Sequence, residues 1–177
     1  MNPPESPIWV LICGLPGTGK TTFARALATA VGAEHSNTDL LRARMGLMGH
    51  YSAADKERVY EALLEEARQW VLDGRKVVVD ATFSSLDMRS RWKEVAADLG
   101  VTVRWIEIRA NEEMVRQRIS RKRPDSEADV AVYEQIRAEW SPLQDEHLVL
   151  RTDEADLAEL VRQAVVWIDP DQLNPDA

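Results

Sequence analysis

The sequence contains little cysteine and no long apolar run. Cys13 is the only cysteine among 177 residues, so no disulfide can form within the chain. No apolar stretch approaches the roughly 20 residues that a transmembrane helix requires, and residues 1–7 are short, polar and rich in proline, unlike a signal peptide. These absences predict a cytoplasmic protein without membrane association, in which Cys13 is a small buried hydrophobe.

Positive charge is also scarce. The chain has 22 lysines and arginines against 30 aspartates and glutamates, which gives a net charge of −8 at pH 7. Binding along a nucleic-acid backbone requires clustered cations, so this balance argues against an extended nucleic-acid surface. The length predicts one domain over residues 1–177, with flexible tails at 1–7 and 170–177. We expect a monomer or a weak dimer, because nothing in the sequence requires an assembly.

The most informative motif is Gly-Leu-Pro-Gly-Thr-Gly-Lys-Thr at residues 14–21. An apolar stretch at 8–13 predicts a buried strand before it, and apolar residues at helical spacing follow it over 22–31. Strand, glycine loop and helix form the context that a phosphate-binding P-loop requires. Glycines let the backbone wrap an anion, and the N–H groups of a helix N-terminus favour phosphate. The predicted nucleotide-binding residues are Gly14, Leu15, Pro16, Gly17, Thr18, Gly19, Lys20, Thr21 and Thr22.

The remaining chain alternates strand patterns with amphipathic helices, which is typical of a parallel α/β sheet. Strands are predicted at residues 8–13, 76–80, 101–109 and 147–150, with a shorter strand-like segment at 34–39. Helices are predicted at residues 22–31, 40–45, 52–73, 86–99, 112–123, 127–140 and 153–168. Ser52 and Asn111 have the spacing of helix N-caps.

Asp80 directly follows the apolar residues 77–79, which places it at the carboxyl edge of the predicted sheet. Its carboxylate can hold Mg²⁺ directly or through water, beside the hydroxyl of Thr21. Two alternatives are a hydrogen bond to Thr21 or the loop, and a purely structural cap of a turn. Thr82, two residues further on, is a candidate for orienting metal-bound water or the phosphoryl acceptor.

Asp39 and Arg42 form a second candidate pair, because Arg42 lies one helical turn after Asp39. An aspartate in this position can accept a hydroxyl proton, and the arginine can bind an acceptor anion. The alternative is structural, with Asp39 as the N-cap of helix 40–45 and Arg42 in a surface ion pair. The two interpretations are compatible, since one aspartate can cap a helix and accept a proton.

Arginines gather between two predicted helices, around residues 118–127. Arg118, Arg121 and Arg123 belong to this stretch, which Pro124 interrupts. A mobile lid there can close arginines over the phosphates and exclude water. The alternative is a basic helix C-terminus, which the helix dipole favours.

With these motifs the chain resembles the P-loop kinases related to the kinase domain of polynucleotide kinase, gluconate kinase and the zeta-toxin kinases, many of which are labelled AAA-family ATPases. The resemblance covers residues 8–153. It rests on the loop at 14–22, Asn-Thr-Asp-Leu-Leu-Arg at 37–42, Val-Val-Asp-Ala-Thr at 78–82 with Arg89 a helical stretch later, and the arginine lid.

This resemblance implies a three-layer α/β/α sandwich with a five-stranded parallel sheet, similar to the nucleoside kinases, and phosphorylation of a hydroxyl by ATP with Mg²⁺. In these kinases the aspartate matching Asp39 acts as general base, and the arginine matching Arg42 contacts the acceptor. Lid arginines stack on adenine or neutralise the transferring phosphoryl group. The residues expected in catalysis are Lys20, Asp39, Arg42 and Arg123. The residues expected at the nucleotide also include Arg118 and Arg121. The residues expected at the acceptor are Asp39, Arg42, Thr82 and Arg89. The residues expected at the metal are Thr21 and Asp80.

Three functions remain open on the sequence. The first is a kinase for a hydroxyl of a small molecule or nucleotide, with ATP and an acceptor not identified by the sequence as its partners. The second is a polynucleotide 5′-hydroxyl kinase, which predicts salt-sensitive binding of single-stranded ends. The third is a nucleotide-dependent ATPase or switch acting on a protein partner, which predicts hydrolysis without an acceptor.

Overall fold

The computed structural model of the chain describes residues 7–121 and 130–169. Most of the predicted lid, including Arg123, lies outside the described residues, as do residues 1–6 and 170–177 of the predicted tails.

Strands and helices alternate along the described residues. The strands are β1 (Ile8–Cys13), β2 (Glu34–Asn37), β3 (Val77–Asp80), β4 (Thr102–Arg109) and β5 (His147–Arg151). The helices are α1 (Lys20–Val31), α2 (Thr38–Arg44), α3 (Ala53–Leu72), α4 (Leu86–Asp98), α5 (Glu112–Ser120), α6 (Val130–Glu139) and α7 (Leu157–Ile168).

The five strands form one sheet in the order β2-β3-β1-β4-β5, and every neighbouring pair is parallel. The predicted five-stranded parallel sheet is therefore confirmed. The central strands β1 and β3 are buried along nearly their whole length. This explains why both read as continuous apolar runs, since parallel strands covered on both faces have no polar side.

Two cores lie on opposite faces of the sheet, because successive side chains of a strand point to opposite sides. Trp9 and Leu11 of β1 belong to the core that includes residues of α3 and α4, whereas Val10 and Ile12 belong to the core that includes α1 and α7. The first core contains edge-to-face contacts of Phe83 with Trp92 and Trp105, each with 5.3 Å between ring centroids. Helices thus cover both faces, which gives the predicted α/β/α arrangement.

The structure agrees with two of the predicted helix N-caps and differs from one. Ser52 caps α3 and Asn111 caps α5, as predicted. The cap of α2 is Asn37, whose side chain accepts from the backbone N–H of Leu40, so the interpretation of Asp39 as a cap was wrong.

The last helix begins later than predicted, at Leu157 instead of residue 153. The physical reason is that the Asp153 carboxylate accepts hydrogen bonds from Asn111 and Arg151, which holds it in the preceding turn. Asp156 provides the cap, and Leu157 is 40% exposed and lies outside the buried face of the helix.

Cys13 is fully buried at the end of β1. Burial, reinforced by the nearby Glu107 carboxylate, raises the pKa of its thiol from the ordinary value of 9.0 to about 12. Its contribution to stability is therefore complete below pH 9.0 and is lost as the pH rises toward about 12, because only the unfolded thiol ionises in that window.

We expect the parent protein to lose about 2 kcal/mol more unfolding free energy than the Cys13→Ala variant between pH 8 and pH 10.5, at about 1.4 kcal/mol per pH unit above the unfolded pKa. Urea unfolding at both pH values measures this difference, and all other titrating groups are common to the two proteins. Equal losses in the two proteins would contradict the buried, protonated thiol.

Candidate active site

The glycine-rich loop at residues 14–19 connects the end of β1 to the start of α1. Gly19 occupies the N-cap position of α1 with φ of 99°, and no side chain caps the helix. The first N–H groups of α1 therefore have no side-chain acceptor at the cap, and these groups with the helix dipole favour an anion.

Two glycines in this loop are required by close approach as well as by φ. Gly14 has φ of 146°, and a Cβ there would lie 2.3 Å from the backbone oxygen of Ile108 in β4. Gly17 has φ of 78°, and its Cβ would lie 2.6 Å from Cγ2 of Ile119 in α5. The loop thus fits closely between β4 and α5, and only a residue without a side chain fits at these positions.

Lys20 lies at the first position of α1 and lines the cleft. Its Nζ donates to the backbone oxygen of Leu15 at 2.9 Å, which keeps the side chain folded over the loop. Desolvation lowers the pKa of Lys20, while the carboxylates of Asp80 and Asp39 oppose this shift. The ammonium group is therefore in the electrostatic field of both predicted aspartates.

Asp80 is the centre of a buried polar cluster at the carboxyl end of β3, where its side chain is almost fully enclosed. Its Oδ2 accepts from the Thr21 hydroxyl at 2.8 Å. Its Oδ1 accepts from Nε2 of His35 at 2.5 Å and from Nδ2 of Asn37 at 3.4 Å. Because a carboxylate oxygen accepts, the contact with His35 requires a proton on Nε2.

His35 and Asn37 were not among the predicted site residues. Both lie on β2, and Asn37 pairs directly with Asp80 in the strand register. Two polar residues spaced by two on one strand point to the same side, which is the signal that could have identified them. To use that signal, one must know that β2 and β3 are neighbours in the sheet, and the sequence does not show this because Asp80 is distant from β2 in the chain.

The predicted metal residues fit Mg²⁺ by their chemistry. Thr21 and Asp80 lie together and offer a hydroxyl and a carboxylate oxygen, which are the hard ligands that Mg²⁺ prefers alongside water and substrate phosphates. The hydroxyl proton is directed to the carboxylate, so the lone pairs of Thr21 remain available to a cation.

Asp39 and Arg42 lie on α2 and line the same cleft as the P-loop. Arg42 is only 4% exposed, its Nη1 donates to the backbone oxygen of His50 at 2.5 Å, and its guanidinium lies 4.3 Å from the centroid of the Tyr51 ring. Arg42 is therefore not a surface residue, and the interpretation as a surface ion pair was wrong.

Thr82 lies in the loop after β3 and also lines the cleft. Its Oγ1 is 3.0 Å from the hydroxyl of Tyr60, which also accepts from the backbone N–H of Phe83 at 3.3 Å. Desolvation raises the pKa of Tyr60.

Phe83 has φ of 48°, a left-handed conformation that costs a non-glycine residue roughly 1–2 kcal/mol. Buried ring contacts and the Tyr60 hydroxyl hold this turn next to the site.

Arg89 does not reach the cleft. It is 2% exposed, and its guanidinium donates to four backbone oxygens, those of Ser84, Ser85, Ser141 and Pro142. A buried cation needs such acceptors, and these contacts join the loop after β3 to the segment after α6. The structure therefore gives no support to the predicted role of Arg89 at the acceptor.

Arg118 contacts the loop itself. Its Nη1 donates to the backbone oxygens of Gly17 and Thr18 at 3.3 and 3.2 Å and to Oγ1 of Thr152 at 2.9 Å. Thr152 donates in turn to the Thr18 oxygen at 2.7 Å. Arg118 and Thr152, a residue that the sequence analysis missed, thus fix loop carbonyls from the side of β5. Arg121 lines the cleft, and Arg123 lies outside the described residues.

One open cleft of about 320 Å³ connects these groups. The loop and the start of α1 form one end, and residues of α2 and α3, including Asp39, Arg42 and Tyr60, form the other. Residues of α5 and α6 complete the wall. The arrangement brings the N-terminus of α1 and the Asp39 carboxylate into one cavity.

Comparison with known proteins identifies the family. The model of the AAA_33 family, described as AAA domain, matches residues 10–143. An uncharacterised protein of Mycobacterium tuberculosis is 37% identical over 100 residues, which is 50% of this chain and 20% of that protein. The bifunctional polynucleotide phosphatase/kinase of Schizosaccharomyces pombe is 26% identical over 107 residues, 60% of this chain and 22% of that protein. A shikimate kinase of Salinispora tropica is 35% identical over 92 residues, 46% of this chain and 54% of that enzyme.

Solved structures share the whole fold. A sugar kinase from Janibacter sp. has a TM-score of 0.73 at 19% identity, covering 93% of this chain and 96% of that chain. The APS kinase of Mycobacterium tuberculosis in complex with AMPPNP and APS has a TM-score of 0.72 at 18% identity, covering 94% of this chain and 99% of that chain. The chain therefore has the fold of the P-loop kinases, while it spans only about a fifth of the first curated relatives.

No helix within residues 7–121 and 130–169 is both long and apolar enough to cross a membrane.

The contact between His35 and Asp80 gives a testable prediction. His35→Phe keeps an aromatic ring but removes the donor, and should lower the unfolding free energy by about 1–3 kcal/mol, because a buried carboxylate loses a charge-assisted hydrogen bond. A double-mutant cycle with Asp80→Asn, measured by urea unfolding, should give a coupling energy above about 1 kcal/mol. A coupling below about 0.5 kcal/mol would show that the two side chains act independently.

Proposed function

The chain belongs to the AAA_33 family of AAA domains, and from this premise we propose that it is a kinase that transfers the γ-phosphoryl group of ATP, with Mg²⁺, to a hydroxyl of a small molecule or nucleotide. The observation that carries the proposal is the single cleft that contains both the start of α1 and Asp39. Lys20 lies in the field of Asp39 and Asp80, so donor and acceptor groups are near one another.

The donor end binds phosphates. N–H groups of residues 17–19 and of the first turn of α1 neutralise phosphate charge, and Lys20 supplies a positive charge. Thr21 and Asp80 would hold Mg²⁺, which when bound neutralises charge on the β- and γ-phosphates. Arg118 and Thr152 support the loop by binding its carbonyl oxygens, so that it keeps its shape as phosphates enter and leave.

The acceptor end activates a hydroxyl. Asp39 accepts the proton of that hydroxyl, the hydroxyl oxygen forms a bond to the γ-phosphorus, and the bond from the γ-phosphorus to the bridging oxygen of ADP breaks. Arg42 orients the acceptor, and Thr82, paired with Tyr60, lines its path. Arg121 and Arg123 are proposed to neutralise the charge of the transferring group. Positioning and electrostatic stabilisation supply most of the catalysis of phosphoryl transfer.

A second function, a polynucleotide 5′-hydroxyl kinase, is favoured by the relative from Schizosaccharomyces pombe. The net charge of −8 opposes this function, because a protein binds a nucleic-acid backbone through cations that displace its counterions, and carboxylates outnumber cations in this chain. Transfer from labelled ATP to nucleosides, sugars, short oligonucleotides and hydroxylated antibiotics separates the two functions. Oligonucleotide phosphorylation with steep salt dependence would favour the second function over the first.

Asp39→Asn should lower transfer by about 10²–10⁴-fold while ATP affinity stays nearly unchanged, because the change removes the proton acceptor but no phosphate ligand. Label transfer and fluorescence titration with an ATP analogue measure the two quantities. Asp87→Asn is the matched control, since Asp87 lies in the first turn of α4 and does not line the cleft. Equal transfer rates for the parent and Asp39→Asn would reject the general-base role.

Lys20→Ala should abolish transfer and weaken ATP binding together, because Lys20 is the cation expected to contact the terminal phosphates. The same two assays measure both effects. Undiminished turnover of this variant would reject the assignment of the loop as the donor site.

A further inference from the structure

The two oxygens of the Asp80 carboxylate face different numbers of donors. Oδ1 accepts from two side chains, Nε2 of His35 at 2.5 Å and Nδ2 of Asn37 at 3.4 Å. Oδ2 accepts from one, the hydroxyl of Thr21 at 2.8 Å. Because each carboxylate oxygen has two lone pairs, the contacts of the described residues occupy both acceptor positions of Oδ1 and leave one on Oδ2. The remaining acceptor position therefore lies on the oxygen that faces Thr21.

His35 approaches this carboxylate from β2, the strand at one edge of the sheet. It lies opposite Val78, two residues before the register pair of Asn37 with Asp80. The side chain of His35 is 11% exposed and that of Asp80 is 4% exposed. A hydrogen bond to an ionised group is stronger than one between neutral groups, and the enclosure leaves little room for water to replace the imidazole as donor.

His35 has no other use for its side chain among the hydrogen bonds of residues 7–121 and 130–169, where its one side-chain partner is Asp80. Asn37, by contrast, also caps α2 through its side-chain oxygen, and its contact with Asp80 is the longer of the two. The orientation of the carboxylate therefore depends more on His35 than on Asn37.

The orientation of Asp80 has a competitor in Lys20, whose ammonium group lies in the electrostatic field of this carboxylate. Without a donor at Oδ1, rotation about the Cβ–Cγ bond of Asp80 is free to turn the carboxylate away from Thr21 and toward the lysine. Such a pair would remove both the acceptor oxygen beside Thr21 and the cation expected at the phosphates. A donor that holds Oδ1 opposes both losses.

We propose that His35 is a positioning residue for the divalent cation of this site: by holding Oδ1 of Asp80, it keeps Oδ2 directed to Thr21 and to the cation. The inference rests on the proposed function, because Mg²⁺ enters with ATP. A purely structural His35 would stabilise the fold without affecting the metal, whereas a positioning residue changes the contribution of the metal to nucleotide binding.

Calorimetry of AMP-PNP binding, once with Mg²⁺ and once with EDTA, gives the factor by which the metal strengthens binding of the nucleotide. Formation of the metal–nucleotide complex in solution is common to all variants, so a change in this factor belongs to the protein. We expect His35→Phe to lower the factor about tenfold or more, as loss of a residue that orients a metal ligand commonly does, while AMP-PNP affinity in EDTA stays equal to that of the parent.

His35→Gln should restore most of the factor, because the glutamine amide nitrogen lies in a position similar to that of Nε2 and also donates a hydrogen bond. His147→Phe is the matched control. His147 lies 3.5 Å from the buried carboxylate of Glu107 at the start of β5, and it does not line the cleft. This variant removes a histidine beside a different buried carboxylate and should keep the factor of the parent.

An unchanged factor in His35→Phe, or a factor of one in the parent, would overturn the inference. Equal losses in His35→Phe and His35→Gln, or a similar loss in His147→Phe, would also overturn it, because the hydrogen bond to Asp80 would then not be the cause. Failure of AMP-PNP to bind the parent in either condition would instead overturn the proposed function.

NMR of the parent protein tests the same inference without a substitution, in case His35→Phe does not fold. The assigned Nε2–H signal of His35 should exchange slowly with solvent, because its hydrogen bond is enclosed. It should also shift when Mg²⁺ is added to the complex with AMP-PNP. A signal that does not respond to Mg²⁺ would overturn the role of His35 at the metal.

Discussion

The hydrogen bonds of the Asp80 carboxylate are the interaction on which the candidate site depends. A buried carboxylate must find donors, and Asp80 finds them on two other elements, with His35 and Asn37 from β2 and Thr21 from α1. Asn37 also caps α2 through its side-chain oxygen. The helix that carries Asp39 is thereby held in a fixed relation to the helix that begins with Lys20. The hydrogen bonds of one side chain thus connect the two ends of the cleft.

The loop after β3 illustrates a second constraint. Phe83 adopts a left-handed conformation, and it can do so because its ring is enclosed by Tyr60, Trp92 and Trp105. Arg89 holds the following residues through their backbone oxygens. Local strain next to the site is thus compensated by contacts in the core, as is common at functional sites. Several tryptophans of the sequence contribute to this core, so their packing role is evident without any ligand.

Local patterns predicted the parts of the fold that depend on neighbouring residues. The strand at Ile8–Cys13, the loop that follows it, and the caps at Ser52 and Asn111 all follow from short-range rules. Parallel strands could be expected from the alternation with helices, but their order could not, because it depends on contacts between distant residues.

Residues whose roles depend on distant contacts were harder to identify. His35 was missed because its partner lies 45 residues away. Arg89 was expected at the acceptor because a sequence motif gives the position of an arginine, but not the carbonyl oxygens that its guanidinium will meet. The sequence therefore predicted many residues of the candidate site, whereas only the coordinates show which cations bind backbone oxygens and which line the cleft.

The bond between Lys20 and the Leu15 carbonyl has a consequence for selectivity. Leu15 accepts only one of the three N–H groups of the Lys20 ammonium, at 2.9 Å, which leaves two donors for a ligand. A charged donor forms a stronger hydrogen bond to an anionic oxygen than to a neutral one. On the proposed function, this ammonium group would therefore favour a ligand that places concentrated negative charge beside the loop over a neutral molecule of similar shape.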